Sequence, residues 1–478
     1  MLYSPTKAPV NFRSTKKNAR TDSLPTLVML LGGCSLNALA FGEIEPIVAS
    51  LGLFGLGLVL LNISPLRGHY ETVIFARMCA VGWFMAGIAA IYDNFLTDTI
   101  RNDAIRFYYL SVGLAYRDLN ISQFQKLTEG SAAVVVWRAF YDSIASLGID
   151  RKIYTGILVN VLTLATTGVI SIKIVKVIYG YDVVRLRRLI TLFSFCGIFW
   201  LFAAIHLRDV FALLMTTVLI YVFNLYIKRP NIMGFAVVMA ISIIFTVWFD
   251  FIRSEFVFVP SAIGTAALTS QAFFYRSRGQ RKLLVRLVAV LIFIVSIWAL
   301  PIYLPSLLPI LSEQNLNYLD LSRNSASSNS LGLSVIVNQP LAIKLVLGSV
   351  WVLVFPLPVW SGFQLESPYH LFKSLNAIYM YFLVPLFGLG VLNVVRKSRN
   401  RNPLIVFNLV IVLGFLLSVV ATSVESRHFG TFLVAMFMVA LQPDLTRRAV
   451  RMSYKNILSA YLMGILLLHV IWALLKLS

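Results

Sequence analysis

Long apolar runs recur along this chain of 478 residues, and they constrain its fold more than any other feature of the sequence. A helix of about 20 apolar residues spans the hydrocarbon core of a bilayer, and about thirteen of the runs approach that length. In lipid each segment must satisfy its own backbone hydrogen bonds, which favours a helix for every crossing. The runs lie at 24–42, 46–63, 70–92, 153–178, 189–205, 210–227, 232–250, 256–275, 287–304, 375–395, 404–422, 429–443 and 456–475.

The composition excludes a water-soluble fold. Hydrophobic residues make up 59% of the chain and charged residues 13%, with a mean hydropathy of +0.82, whereas a soluble domain is about half apolar and a quarter charged. A secreted enzyme, a nuclear factor and a cytosolic dehydrogenase are therefore excluded. The sequence predicts an all-α, polytopic integral membrane protein. We expect residues 1–23 to form a basic cytoplasmic tail and 24–478 a single membrane domain, with large outer loops at 93–152 and 305–374.

The charge balance predicts which loops face the cytoplasm. The chain carries 41 Lys and Arg against 20 Asp and Glu, for a net charge of +21. In a soluble protein this excess would indicate nucleic acid binding, but in a polytopic protein basic loops mark the cytoplasmic side. We therefore expect a cytoplasmic N-terminus and no nucleic acid partner. The same rule assigns to the cytoplasm the basic loops 64–69, 179–188, 228–231, 276–286, 396–403 and 444–455.

The apolar run 341–360 tests this topology, because it is long enough to cross the membrane. If it crossed, the basic cluster at 396–401 would lie outside, against the positive-inside bias. Pro356 and Pro358 also disrupt a helix in its second half. We expect a re-entrant or interfacial helix on the outer side, which would form a wall of a substrate cleft.

The spacing of the cysteines and the absence of several short motifs argue against disulfide, metal and nucleotide sites. Cys34, Cys79 and Cys196 lie far apart in apolar runs, so neither a disulfide framework nor a metal cluster is supported. No Walker loop, dinucleotide fingerprint, HExxH or CxxC occurs. We expect no metal and no cofactor. A nucleotide-driven transporter or a nucleotide-sugar enzyme would need a soluble domain, and no expected cytoplasmic loop is long enough for one. The energy would therefore come from an activated lipid substrate or an ion gradient.

Polar side chains collect at the expected outer ends of the helices. A guanidinium fork binds phosphate oxygens bidentately, so arginines there suit an anionic lipid head group such as a diphosphate. A neighbouring carboxylate or histidine could act as a base, which indicates group transfer from a phosphorylated lipid. The alternative is that these residues only cap helices and anchor them at the interface. The residues are Glu43, Glu45, His206, Arg208, Asp209, Asp250, Arg253, Glu255, Arg323, His370, Lys373, Glu425, Arg427 and His428.

Three regions carry a family resemblance. The stretch AAIHLRDVFALLMTTVLIYVF at 203–223 contains a helix led by Arg and Asp. A Ser-rich outer loop precedes an apolar run that ends FPLPVW at 355–360, and ESRHFGTFLVAMFMVALQP at 425–443 opens a helix with a short Arg-His turn. In their order and spacing these regions resemble bacterial polysaccharide polymerases of the O-antigen and exopolysaccharide repeat-unit type.

The resemblance implies a membrane-embedded glycosyltransferase of the C-type superfamily, located in the bacterial inner (plasma) membrane. Its donor would be a polyprenyl-diphosphate-linked oligosaccharide, transferred onto a lipid-linked repeat unit at the outer face in lipopolysaccharide or exopolysaccharide biosynthesis. Membrane lipids, a chain-length regulator and a flippase would be its partners. Four arginines would bind the diphosphate: Arg208 and Arg427 directly, with Arg253 and Arg323 as helpers. The acceptor hydroxyl would be activated by His428, Glu425 or Asp209.

Two other functions fit part of the same evidence. A lipid-linked oligosaccharide flippase would have a similar number of helices, but it needs charges along a central cavity. Here the polar groups lie at the outer boundary instead. Another lipid-sugar-dependent glycosyltransferase, or an O-antigen ligase, would share the donor and differ in its acceptor.

Overall fold

The computed structural model describes residues 13–92, 102–113, 131–148, 150–253, 256–274, 336, 339–363, 368–396, 402–422 and 426–477. Within these ranges the regular structure is helical. The expected crossing at 287–304, the loop 276–286, and the site residues Arg323 and Glu425 lie outside the described residues. In chain order the α-helices are α1 Arg13–Phe41, α2 Glu45–Ile63, α3 His69–Tyr92, α4 Asn102–Val112, α5 Ser131–Ala145, α6 Ile153–Tyr179, α7 Val183–Ser194, α8 Gly197–Ala204, α9 Asp209–Lys228, α10 Ile232–Ile252, α11 Val259–Phe274, α12 Leu341–Val354, α13 Pro368–Arg396, α14 Pro403–Thr422, α15 Ser426–Gly430, α16 Leu433–Ala440 and α17 Arg448–Leu477.

The described residues include nine helices that are long and apolar enough to cross a membrane. A tenth crossing forms if α7 and α8, which meet at a bend of 57°, are counted as one span. The chain is therefore a multi-pass helical membrane protein, but the thirteen crossings predicted from the sequence are not confirmed. The nine helices are α1, α2, α3, α6, α9, α10, α13, α14 and α17.

Three expected crossings are neither among these nine helices nor in the bent pair. The run 287–304 lies outside the described residues, and α11, in the run 256–275, has 16 described residues and ends at Phe274, next to residues that the structure does not describe. The run 429–443 is divided between α15 and α16, with an interruption at Thr431 and Phe432. In this last run hydropathy identified an apolar segment, but apolar length does not define an unbroken helix.

The run 341–360 contains a short helix followed by an irregular segment. Helix α12 ends at Val354, just before Pro356, and a 3-10 helix follows at Val359–Phe363. The prolines therefore end the helix where the sequence predicted a disruption. His469 of α17 accepts a hydrogen bond from the backbone N–H of Val359 at 3.0 Å and ties this segment to the bundle.

Several loops meet at one end of the bundle, which we call the basic end. Lys176 donates a hydrogen bond of 2.7 Å to Glu71, a fully buried carboxylate. Arg185 donates to the carbonyl of Leu441 at 3.0 Å, although the two residues are far apart in the chain. These contacts lie at or beside the loops 64–69, 179–188 and 444–455, which the charge pattern assigns to the cytoplasm.

The opposite end carries those predicted site residues that the structure describes, and we call it the site end. Tyr154 donates a hydrogen bond to Glu45 at 2.9 Å, and Arg208 donates to the carbonyl of Ile252 at 2.9 Å. The rings of Phe256 and Phe432 lie 6.1 Å apart and bring α15 to the same end. In the described part of the chain these contacts agree with the predicted directions of the helices, while the side of the membrane that each end faces stays a prediction.

The core of the bundle forms around α6. Of the residues in its membrane span, 83% are buried. Helices α3, α8 and α9 pack against it, and α1 packs against α3. By contrast, only 11% of the spans of α10 and α17 is buried. These two helices present apolar surface at the outside of the described bundle, as a lipid-facing helix does.

Candidate functional site

A buried ion pair joins the start of α9 to the end of α10. Arg253 Nη1 donates to Asp209 Oδ1 at 3.0 Å, and the two side chains are 6% and 3% exposed. Asp209 lies in the first turn of its helix and Arg253 directly follows the last residue of the other. Each charge therefore complements the dipole of its own helix. The pair fixes the two helix ends against each other at the site end.

Arg208 lies beside this pair and is half-buried. Its Nη1 donates to the carbonyl of Ile252 at 2.9 Å, and its guanidinium carbon lies 5.4 Å from the centre of the Phe107 ring. Phe107 belongs to α4, which lies in the expected outer loop 93–152. The orientation of this arginine is therefore set by two separate elements, α10 and α4.

His206 lies in the turn that leads to Arg208, and its side chain is fully buried. Its ring centre is 3.9 Å from that of Trp137, and its Nε2 lies 3.3 Å from the Tyr141 hydroxyl. Burial lowers the pKa of His206 to about 3, since a charged imidazole would lose its hydration there. The ring is therefore neutral near pH 7 and packs as part of the protein interior.

The second group of predicted residues lies on α15. His428 is buried and Arg427 half-buried, and the short helix packs against α8, α9, α12 and α14. Phe256 connects this group to the first one, because its ring lies 5.6 Å from the Arg253 guanidinium and 6.1 Å from the Phe432 ring. The structure therefore brings α15 and the Arg253–Asp209 pair to the same region of the site end.

Two buried lysines belong to the same end. Lys373 is among the polar groups expected at the outer ends of the helices, where it has no assigned role, and Lys344 is not among them. Lys373 lies in the first turns of α13, with its amine 4.3 Å from the centre of the Tyr369 ring and 5.2 Å from that of Phe355. Lys344 lies on α12 and is 4% exposed. A lysine inside an apolar run is expensive in a membrane, so Lys344 carried a sequence signal that was available in the run 341–360.

The acidic pair Glu43 and Glu45 lies at the site end but interacts with cationic and phenolic groups. Lys152 forms ion pairs with both carboxylates, and Tyr154 donates to Glu45 at 2.9 Å. Among the described residues, no group of three His, Cys, Asp or Glu side chains is arranged to hold a metal ion. In the described part of the chain, the chemistry of this end therefore depends on arginine, lysine, histidine and single carboxylates.

Comparisons with protein-family models, with curated proteins and with solved structures find no match for this chain. The class of the protein therefore follows from its own helices: it is a multi-pass helical membrane protein. The cationic groups gathered at its site end are the basis for a proposal about its function.

Proposed function

We propose that this protein is a membrane-embedded glycosyltransferase, a polysaccharide polymerase that uses a polyprenyl-diphosphate-linked oligosaccharide at the outer face of the membrane. One observation carries the proposal. Arg208 and Arg253 are brought to the same end as Arg427 and His428, although the two pairs are far apart in sequence. Phe107 and Phe256 lie against the guanidinium groups of Arg208 and Arg253, and such apolar surroundings suit a diphosphate attached to a lipid.

In the proposed reaction the acceptor is a hydroxyl of a lipid-linked repeat unit. Its oxygen bonds to the anomeric carbon of the donor, and the bond from that carbon to the diphosphate oxygen breaks. The polyprenyl diphosphate leaves with the electron pair, and the hydroxyl proton passes to a base. Arg208 and Arg427 would stabilise the charge that develops on the leaving diphosphate, because fixed cations act strongly in a site with little water.

The base is assigned to His428 or Glu425, while Asp209 takes a different part in the proposal. His428 is a candidate because an imidazole nitrogen can accept a proton from a hydroxyl within hydrogen-bond reach. Asp209 was also a candidate from the sequence, but its Oδ1 accepts a charge-assisted hydrogen bond from Arg253. This contact supports a role in holding Arg253 rather than in taking up a proton.

The test uses purified protein in sealed proteoliposomes with lipid-linked repeat units from the producing bacterium. We expect longer glycans and one released polyprenyl diphosphate for each new glycosidic bond. Arg208→Lys keeps the charge but loses the bidentate fork, so it should reduce both products at normal protein level. Arg427→Ala and His428→Ala should do the same.

Arg187→Lys is the matched control, because Arg187 is an exposed arginine at the basic end. It should polymerise like the wild type. A wild-type protein that moves lipid-linked glycan across the bilayer without releasing polyprenyl diphosphate would contradict the proposal and support a flippase. Transfer of a finished glycan to a different lipid acceptor would support a ligase.

A further inference from the structure

Two amphipathic helices of the segment 93–152 dock onto the turn 205–208. Trp137 of α5 donates a hydrogen bond from its indole N–H to Asn160 Oδ1 at 3.0 Å. The amide of Asn160 donates in turn to the carbonyl of Ile205 at 2.9 Å. Trp137 and Asn160 are fully buried. A chain of hydrogen bonds therefore runs from α5 through α6 to the backbone of the turn.

Helix α5 also contacts the ring of His206. It lies against the Trp137 indole and beside the Tyr141 hydroxyl, which also accepts a hydrogen bond from the backbone N–H of Gly156 at 3.1 Å. A Cβ atom at Gly156 would overlap both the His206 ring and the Tyr141 hydroxyl. Glycine is thus required on α6 at the point where α5 and the turn come together.

Helix α4 contacts the side chain of Arg208, the last residue of the turn. Phe107 is buried and supports the Arg208 guanidinium at 5.4 Å, while the carbonyl of Ile252 accepts from Nη1 of the same group. Phe107 and Trp137 pack against each other with ring centres 5.8 Å apart. The contacts to the turn and to the guanidinium therefore belong to one packed unit.

We propose that α4 and α5 form a positioning device for Arg208, in which Trp137 fixes the turn through Asn160 and Phe107 orients the guanidinium. The inference rests on the proposed function, since it takes Arg208 as a diphosphate ligand. A guanidinium binds bidentately only in a fixed plane, and small displacements of a binding group cause large losses in catalysis. Phe107 and Trp137 are positioning residues, which act through Arg208 and touch no substrate.

Two variants test the device with polyprenyl diphosphate as the probe, bound to full-length protein in nanodiscs. Phe107→Leu removes the ring under the guanidinium and should weaken binding roughly tenfold, within the range of a cation–π contact. Trp137→Phe keeps a ring against His206 but removes the hydrogen bond to Asn160, and should weaken binding by a smaller factor. Val135→Ala, at an exposed position on α5, is the control and should bind like the wild type.

The decisive measurement repeats Phe107→Leu and Trp137→Phe in an Arg208→Lys background. If both residues act through Arg208, neither should cause a further loss of binding there. Phe107→Tyr, which keeps the ring, should restore wild-type binding. If Phe107→Leu fails to insert, Trp137→Phe carries the same test alone.

Two results would overturn the inference and they are distinguishable. Equal losses in the wild-type and Arg208→Lys backgrounds would show that α4 and α5 act only on stability, and the proposed function would stand. A wild-type protein that does not bind polyprenyl diphosphate would overturn the proposed function and this inference with it.

Discussion

Asp209 and Arg253 form an ion pair that is almost fully buried, and at the scale of single residues its loss should be costly. Asp209→Asn leaves the Arg253 charge buried without that carboxylate, so we expect a loss of about 3–5 kcal/mol in the free energy of unfolding. The measurement is unfolding of the purified protein in mixed micelles. Asp142→Asn is the control, since its ion pair with Arg151 is exposed and should contribute about 1 kcal/mol or less. Equal losses of unfolding free energy in the two variants would contradict a larger contribution from the buried ion pair.

His206 predicts a pH dependence of stability. Burial lowers its pKa to about 3 in the folded protein, whereas in the unfolded chain it titrates near 6.5. Below pH 6.5 His206 binds a proton in the unfolded chain but not in the folded protein. Stability is therefore complete above pH 6.5 and falls on acidification by up to about 1.4 kcal/mol per pH unit.

His206→Gln removes this group and should flatten the pH dependence of unfolding measured between pH 7.5 and pH 5. His69→Gln, at an exposed position, serves as the control and should leave the wild-type slope unchanged. A slope that survives in His206→Gln would assign the pH dependence to other groups.

At the scale of elements, α16 is held by side chains from another helix. Arg188 of α7 donates to the carbonyls of Pro443 and Ala440 at 2.8 and 3.2 Å. Ala440 is the last residue of α16, where a helix carbonyl has no internal donor, and Pro443 lies three residues beyond it. Arg188→Met should therefore destabilise the protein by about 2 kcal/mol or more.

Arg187→Met is the matched control, because the neighbouring arginine is exposed and its loss changes the net charge equally. Unfolding in mixed micelles and the rate of proteolysis at the basic end should separate the two variants. If both behave like the wild type, the end of α16 is satisfied without Arg188.

The sequence predicted most elements, and its errors have a common cause. The lengths of the apolar runs located α2, α3 and α6 closely, because the bilayer requires a similar length of every crossing helix. It did not predict the break at Thr431 or the bend between α7 and α8. At the bend a partner distant in the chain satisfies the backbone, because Asn376 of α13 accepts a hydrogen bond from the N–H of Ile198. At the break Thr431 is fully buried within the bundle.

The candidate site was predictable only in part for the same reason. Charge and topology selected Arg208, Arg253 and Arg427, and the structure brings these residues to one end. The docking of Phe107 and Trp137 onto the turn depends on contacts between distant segments, which no local pattern reports. Burial of a lysine such as Lys373 is likewise a property of the packed bundle.

At the scale of the whole molecule, the two ends should face opposite sides of the membrane. Ser146 is exposed near the site end and Thr446 is exposed at the basic end, and the three native cysteines are buried. We expect an impermeant maleimide to label Ser146→Cys in intact cells and Thr446→Cys only after lysis. Labelling in the reverse order would invert the orientation and place the cationic site end in the cytoplasm.

The broken crossing 426–443 has a consequence for how the protein is made. Its residues from His428 to Leu441 are largely buried, so this segment faces protein rather than lipid. Its carbonyls at 440–443 accept from Arg185 and Arg188, the latter synthesised 255 residues before Pro443. A helix of 8 residues cannot be released alone into a bilayer. We therefore expect the interior to close late in synthesis, when the segment 426–443 packs against α7, whose Arg185 and Arg188 supply hydrogen-bond donors to it.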